Sequence, residues 1–309
     1  MTGTKSEKPR GRRALIVKIG RIALAILPWA ALAVVAAVGW QRYGNQVVTD
    51  PRFQVTAEKL DITPLPQWIK SDIKSEVVRD GSLETLSLLD TDATLNINQA
   101  FAMHSWVAKV ARVSKHASGR VTVELVYRQP VAMVVAQRES QSVLWPVDCN
   151  GVLLNPNDFT GAEARAYPRI VVSGLRPHPP VGTIWVDSRV TGATKIANLL
   201  SDVWQKTGLY RIATTDSGDP LSTGTVQYVL STRNDTEGQA TDVIWGYPPG
   251  EETKGEVAAD QKRIRLCEYV KRHGPLGKSP EISEIDLRDQ RQLQILPRTA
   301  NRQLPANHQ

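Results

Sequence analysis

The sequence is poor in cysteine and in aromatic residues. Only two cysteines, Cys149 and Cys267, occur in 309 residues, and phenylalanine, tyrosine and tryptophan make up 6% of the chain. Small secreted domains that are held together by disulfides need more cysteines than this. Two interpretations of the thiols stay open, one disulfide in an oxidising compartment or two separate buried thiols. The chain must therefore fold around hydrophobic cores of its own.

The sequence also lacks the common catalytic and metal-binding motifs. It has no glycine-rich phosphate loop, no His-Glu-x-x-His, no Cys-x-x-Cys and no Gly-x-Ser-x-Gly. Its five histidines are too scattered to have the spacing of metal ligands. Asp90 and Asp92 are more typical of helix-capping oxygens than of paired catalytic carboxylates. We therefore predict a protein that is not an enzyme, with no catalytic, metal-binding or cofactor-binding residues and no small-molecule substrate.

Most of the excess positive charge lies at one end of the chain. The formal net charge is +7, but residues 1–21 contain seven basic residues and one acidic residue, which gives +6. The other residues contain 31 basic and 30 acidic side chains, which gives +1. A nucleic-acid-binding protein would carry its basic residues on the folded domain. The distribution therefore argues against nucleic acid and is typical of a tail on the cytoplasmic side of a membrane.

Residues 22–40 form the one long hydrophobic run and contain no charged residue. As a helix they would extend roughly 28 Å, which is close to the thickness of the hydrocarbon core. With the basic tail before it, the run predicts a single transmembrane helix with a cytoplasmic N-terminus and all later residues across the membrane. Two other interpretations are a cleavable signal peptide and a buried core helix, but the run is long for either.

The pattern of residues 53–129 predicts a small α+β unit. We expect a strand within 53–62, a helix over 67–78 with Ile69, Ile73 and Val77 on one face, and a second helix that begins after Asp92. Two strands follow, over 107–115 and 121–127, with a turn between them. The predicted order is thus strand, helix, helix, strand, strand.

Residues 130–297 predict a larger β-rich domain with helices packed on its sheet. Short alternating runs indicate strands at 131–136, 143–147, 152–154, 169–172, 224–231, 242–245, 281–287 and 292–296. One helix is predicted over 194–209 and another over 257–272, the latter with Ile264, Cys267 and Val270 facing inward. Residues 298–309 are predicted to be a polar tail. The fold class is therefore α+β behind one membrane anchor.

Six short motifs occur in the order of one known family. They are Trp106-Val107-Ala108, Arg128-Gln129-Pro130-Val131-Ala132, Val147-Asp148 with Gly151, Val243-Ile244-Trp245-Gly246, Arg263-Ile264, and Ile285-Asp286-Leu287-Arg288. Together they resemble the bacterial cell-division proteins of the FtsQ/DivIB family, over roughly residues 22–297. Each motif alone is weak, but their order behind a predicted anchor is more specific.

The resemblance implies a fold and a function. Residues 53–129 would be a POTRA domain, and residues 130–297 would be the β domain that follows it in this family. The protein would be a non-enzymatic scaffold of the division septum in the bacterial inner membrane, with its domains in the periplasm. Its expected partners are membrane division proteins that resemble FtsB and FtsL, together with the lipid bilayer.

The last predicted strand is the candidate partner-binding site. Residues 292–296 read QLQIL and lie near the end of the chain, where an edge strand can accept a strand from another protein. The alternative is a protected edge between Arg291 and Pro297. We predict that partner binding involves seven residues, which are Ser283, Ile285, Leu287, Gln292, Leu293, Gln294 and Ile295.

Two other functions stay open. A POTRA-containing factor in secretion or outer-membrane assembly would be expected to continue into many amphipathic strands, for which too little chain follows. A membrane-tethered periplasmic enzyme would need a concave pocket with convergent ionisable groups.

Overall fold

The computed structural model describes residues 29, 31–39, 53–138, 141–215, 226–233, 240–253, 255–278 and 282–297. Residues 29 and 31–39 are helical. The predicted basic tail, residues 22–28, 30 and 40 of the predicted membrane span, and the predicted polar tail lie outside the described residues. Among the described residues, no helix combines the length and the apolar character that are needed to cross a membrane.

The first lobe, residues 53–129, is a small α+β unit with the predicted order of elements. Its sheet order is β1-β3-β2, in which β1 runs parallel to β3 and β2 is antiparallel to β3. The elements are β1 (Leu60–Ile62), α1 (Ile73–Asp80), α2 (Ala93–Ala102), β2 (Val107–Lys115) and β3 (Val121–Tyr127).

Local capping explains where the first helix differs from its prediction. Helix α1 begins at Ile73, later than predicted, because the side chain of Asp72 accepts a hydrogen bond from the backbone N–H of Ser75. Ile69 is buried as predicted, but it precedes the helix. Asp92 occupies the N-cap position of α2 without a side-chain cap bond.

The second lobe, residues 130–297, is built on a mixed sheet. In the part of the chain that the structure describes, this large sheet has eight strands in the order β11-β10-β9-β8-β7-β6-β4-β5. The strands are β4 (Pro130–Arg138), β5 (Gln141–Asp148), β6 (Arg169–Val171), β7 (Leu209–Thr214), β8 (Tyr228–Thr232), β9 (Asp242–Gly246), β10 (Ile282–Asp286) and β11 (Gln294–Pro297). The prediction of an α+β protein is thus confirmed, with two sheets in sequence.

One row of apolar side chains crosses seven strands of the large sheet. Their register places them opposite one another from strand to strand, in the order Val134, Ile170, Ile212, Leu230, Val243, Ile285 and Ile295. The first six are fully buried. This apolar row forms the floor of the core, and its last member lies at the sheet edge.

Helices cover the face of the sheet that carries the apolar row. The helices of the second lobe are α3 (Gly161–Ala164), α4 (Ser188–Leu199), α5 (Trp204–Thr207) and α6 (Ala259–His273), and residues of the last three lie in the core on this face. Residues of α4 and α6, among them Val190, Ile196 and Leu266, belong to the same core cluster as Ile212 and Ile285. The opposite face of the sheet carries the alternate residues of each strand.

The predicted helix over 194–209 is wrong in its bounds. Helix α4 begins six residues earlier, because Asp187 caps it by accepting from the N–H of Arg189. Strand β7 starts at Leu209, where a helix was predicted. Gly208 makes this change possible: its φ is +78°, and a Cβ there would lie 2.7 Å from the carbonyl oxygen of Leu276. The predicted strand at 152–154 forms only isolated bridges.

The predicted inward face of α6 is also wrong. Ile264 is exposed, and Cys267 and Val270 are only partly buried. The buried side chains of α6 are instead Ala259, Lys262, Leu266 and Tyr269. Cys149 and Cys267 are free thiols, which favours separate thiols over the disulfide, but the prediction that both are buried is wrong because Cys149 is exposed and Cys267 is only partly buried.

A buried carboxylate joins the two lobes. Asp158 of the second lobe accepts hydrogen bonds from Trp106 Nε1 at 2.6 Å, from the Ser71 hydroxyl at 2.7 Å and from the Lys70 N–H at 3.1 Å. Leu154 of the second lobe also belongs to the hydrophobic core of the first. The lobes therefore share both apolar and polar contacts.

Candidate functional site

Strand β11 lies at one edge of the large sheet. Among the described strands it pairs with β10 alone, and every one of its residues is exposed. The side chains of Ile295 and Leu296 are 44% and 50% exposed, and they point to opposite faces because successive residues of a strand alternate. The edge therefore offers apolar surface on both faces.

The backbone of Ile295 points away from the sheet. The N–H of Leu287 donates to the carbonyl of Ile244 on β9. Because the backbone N–H and C=O groups of successive residues point to opposite neighbouring strands, those of Ile285 also point towards β9 and those of Asp286 point towards β11. Asp286 is opposite Gln294, so Gln294 pairs inward and Ile295 must present its N–H and C=O outward. These are the groups that bind an added strand.

Helix α6 holds the connection that leads into β11. The guanidinium of Arg265 donates to the carbonyls of Asp289 and Gln290. The backbone N–H of Arg291 and the side chain of Gln294 both donate to the Asp289 carboxylate, and these bonds lower its pKa. The edge strand is therefore fixed in position before any partner arrives, which reduces the entropy lost on binding.

The sheet end beside β11 is closed by an ion pair. Arg288 donates to the carboxylate of Asp286 at 2.7 Å and to the side-chain oxygen of Gln227 at 3.3 Å. Burial opposes ionisation of Asp286, but the hydrogen bonds from Arg288 outweigh it and lower the pKa. Both side chains are thus engaged with each other, as expected for a structural pair.

A buried lysine lies behind the same sheet end. Lys262 Nζ is 2.8 Å from Glu256 Oε1, and the ammonium lies 5.2 Å from the centre of the Trp245 ring. Glu256 Oε1 also accepts from the N–H of Tyr247. Burial lowers the pKa of Lys262 even though Glu256 opposes this. Sequence analysis did not predict this site, because a lysine in an amphipathic helix is normally solvated.

The structure divides the seven predicted partner-binding residues into two groups. Ile285 and Leu287 are fully buried, so their side chains belong to the core and are not on the surface that a partner would meet. The other five lie on or beside the edge: Ser283, Gln292, Leu293, Gln294 and Ile295. Leu296 and Pro297 extend the strand beyond the residues that were predicted to bind.

Three of the five have identifiable structural contacts. The Ser283 hydroxyl donates to the carbonyl of Leu296 at 3.1 Å, which ties β11 to β10. Leu293 is half-buried against the main core, and Gln294 bonds to Asp289. Gln292 and Ile295 are exposed. Partner binding by these residues stays a prediction.

The described residues contain no recognisable centre for metal chemistry. No group of three or more histidine, cysteine, aspartate or glutamate side chains within them is placed to hold a metal ion. A cleft of about 580 Å³ beside β10 contains Glu256, Asp286 and Arg288. In each of these side chains at least one charged atom is already held by an ion pair. The cleft is therefore more consistent with structural pairing than with a reactive centre.

No protein-family model matches this chain, and no curated protein matches it in sequence.

Proposed function

We propose that this protein is a non-enzymatic, membrane-anchored scaffold of the bacterial division machinery, and that it binds a small partner by adding a strand to β11. The single observation that carries the partner site is the edge strand itself, with outward backbone groups at Ile295 and apolar side chains on both faces. Main-chain pairing of this kind supplies affinity, and the alternate side chains supply specificity.

The cellular role depends on the resemblance to the FtsQ/DivIB family. The first lobe supports it through its strand, helix, helix, strand, strand order and the parallel pairing of β1 with β3, which fit a POTRA-like unit. The second lobe would be the β domain. Residues 22–40 would anchor the chain in the inner membrane and place both lobes in the periplasm. Anchoring would raise the effective concentration of partners, so a modest interface suffices.

The experiment is co-purification of the full-length chain from crosslinked membranes with tagged FtsB and FtsL of the same organism. Ile295→Pro removes the outward N–H, while Gln294 and Leu296 keep their pairing with β10, because proline is tolerated where the N–H faces away from the sheet. We expect capture of the partner to fall by about tenfold or more, with unfolding unchanged.

Two matched variants separate the contribution of the outward N–H of Ile295 from that of its apolar side chain. Ile295→Val keeps the N–H and the β-branched side chain, so capture should match the wild type. Ile295→Lys keeps the N–H but removes the apolar contact, so capture should be intermediate. Full capture by Ile295→Pro would remove the edge-strand mechanism. Normal septa after clean deletion of the gene would remove the division role.

A further inference from the structure

A row of charged side chains crosses the face of the large sheet that lies opposite the helices of the core. The strand register places five residues side by side on β6, β7, β8, β9 and β10, in the order Arg169, Arg211, Ser231, Asp242 and Glu284. Two cations occupy one half of this charged row, two anions occupy the other half, and a neutral, buried serine lies at the centre. Residues at equal distances from the central serine therefore carry opposite charges: Arg211 corresponds to Asp242, and Arg169 corresponds to Glu284.

The charged residues of this row have few interactions with opposite charges; Glu284 contributes, after Asp286, to the raised pKa of Arg288. Among the described residues, none of its four charged members forms an ion pair. Arg169 Nε and Asp242 Oδ1 are buried and lack hydrogen-bond partners. Buried polar atoms in native proteins are normally satisfied, so each of these two atoms calls for an explanation.

The positive half of the row is held in place. A register shift between Leu209 and Arg211 marks a β-bulge, a device that re-aims side chains. The Arg169 and Arg233 guanidinium carbons lie 4.7 Å and 4.6 Å from the centre of the Tyr210 ring, which sits in this bulge. Stacking on the ring fixes Arg169 before any partner binds.

The face beside the charged row is apolar and only half-buried. The neighbouring positions on β6, β7, β8 and β9 are Val171, Ala213, Val229 and Ile244. All four are of intermediate burial although β7, β8 and β9 are internal strands. The helices that were described above share a core with the opposite face. This open face therefore combines small apolar residues with a charge pattern.

We propose that a second copy of this chain packs on the open face, about a two-fold axis that runs parallel to β8. Such an axis places β6 opposite β10 of the second copy and β7 opposite β9, so Arg169 meets Glu284 and Arg211 meets Asp242, each pair twice. Two sheets stacked in this way have aligned strands, which is a common packing arrangement. A two-fold axis perpendicular to the strands would instead place each charged residue opposite the same residue of the second copy.

The dimer is expected to be weak. Five strands about 4.8 Å apart and about 15 Å long give a face of roughly 400 Å², about half of the area that each partner buries in a standard interface. We expect a dissociation constant on the order of 10–100 µM and a clear loss of dimer at high salt. This inference does not depend on the proposed scaffold function.

Charge reversal in the full-length chain tests the arrangement by sedimentation velocity over a concentration series. Arg211→Glu places a carboxylate opposite Asp242, and Asp242→Arg places a guanidinium opposite Arg211. We expect either variant alone to weaken the dimer by about tenfold or more. An equal mixture of the two variants should form a heterodimer, because both of its contacts then pair opposite charges.

The control is Arg112→Glu, which reverses an exposed arginine on a strand of the small sheet and should leave the dimer unchanged. A wild-type chain that stays monomeric at the highest concentration would overturn the proposal. Dimers that survive both reversals, or variants that fail to recover in the mixture, would overturn it as well. The fluorescence-detected unfolding midpoint of each variant shows that its lobes are folded.

Discussion

Trp106 Nε1 donates to Asp158 Oδ2 across 2.6 Å, and this buried hydrogen bond joins the two lobes. The same carboxylate accepts from Ser71 and from the N–H of Lys70. One side chain of the second lobe thus satisfies three donors of the first. This contact therefore couples the two lobes.

Asp158→Ala should destabilise the protein by about 2–4 kcal/mol, because it leaves the buried indole N–H of Trp106 and the partly buried N–H of Lys70 without acceptors. Urea unfolding measures this, and a broadened or two-step transition is expected as the lobes uncouple. The control is Asp92→Ala, since Asp92 is exposed and its side chain caps nothing. Equal unfolding midpoints for the two variants would contradict the role of Asp158.

The Lys262–Glu256 pair should behave as one unit. Each of Lys262→Met and Glu256→Gln is expected to cost about 2–4 kcal/mol, because it leaves a buried group without its partner. The double variant should lose less than the sum of the two, by about 1–3 kcal/mol, in a double-mutant cycle that is followed by urea unfolding. Arg272→Ala breaks an exposed pair with Glu268 and should cost less than about 0.5 kcal/mol. Strict additivity would argue against coupling.

The stability of the protein should depend on pH through Glu163. Hydrogen bonds from Lys70, and then from Thr160, lower the pKa of this carboxylate from 4.5 to about 2. A folded-state pKa below the unfolded value means that its contribution is complete above pH 4.5 and is lost as the pH falls towards about 2.

The measurement is the difference in urea midpoint between the wild type and Glu163→Gln at a series of pH values. The difference should be constant near neutrality and shrink in acid. In a Lys70→Met background it should be smaller and should change less with pH, since the first cause of the shift is gone. A difference that grows in acid would show that the sign is wrong.

Gly192→Ala should be destabilising, because a Cβ at this position would lie 2.1 Å from the hydroxyl of Tyr228. That hydroxyl donates to the carbonyl of Arg189 at 2.9 Å, so the ring is not free to move away. We expect a loss of about 1–3 kcal/mol by thermal or urea unfolding.

The matched control is Gly161→Ala, where a Cβ meets no atom within 4 Å. Tyr228→Phe should rescue Gly192→Ala only in part, because the ring carbons stay within 2.8 Å and 3.2 Å of the added atom. Complete rescue would mean that the hydroxyl alone causes the conflict.

Local patterns were enough to predict the hairpin of the first lobe. Strands β2 and β3 have the predicted bounds, since residues 121–127 largely alternate and Gly119 adopts the positive φ of +78° that closes the turn. The predicted helix over 194–209 was wrong because apolar spacing continues through α5 into β7. The helix ends at Gly208, which has a positive φ and packs closely against the backbone of Leu276. Leu276 is remote in sequence, so the local pattern could not predict this change.

The candidate site was predictable only in outline. The alternating residues 292–296 predicted a last strand. Nothing in this pattern indicates that the side chains of Ile285 and Leu287, on the neighbouring segment, belong to the core. The burial of Lys262 depends on Glu256 and Trp245, which come from a loop and another strand. Periodicity within one helix cannot report such tertiary partners, so it placed Ile264 inward instead.

The apolar row that ends at Ile295 has a consequence for any polypeptide that joins β11. The incoming strand would add one more position to the apolar row. Every second side chain of that strand would then lie on the apolar face of the sheet, and the side chains between them would lie on the face that carries Glu284. A shift of a single residue would invert all of these matches at once. The large sheet would thus determine the register in which a partner strand binds.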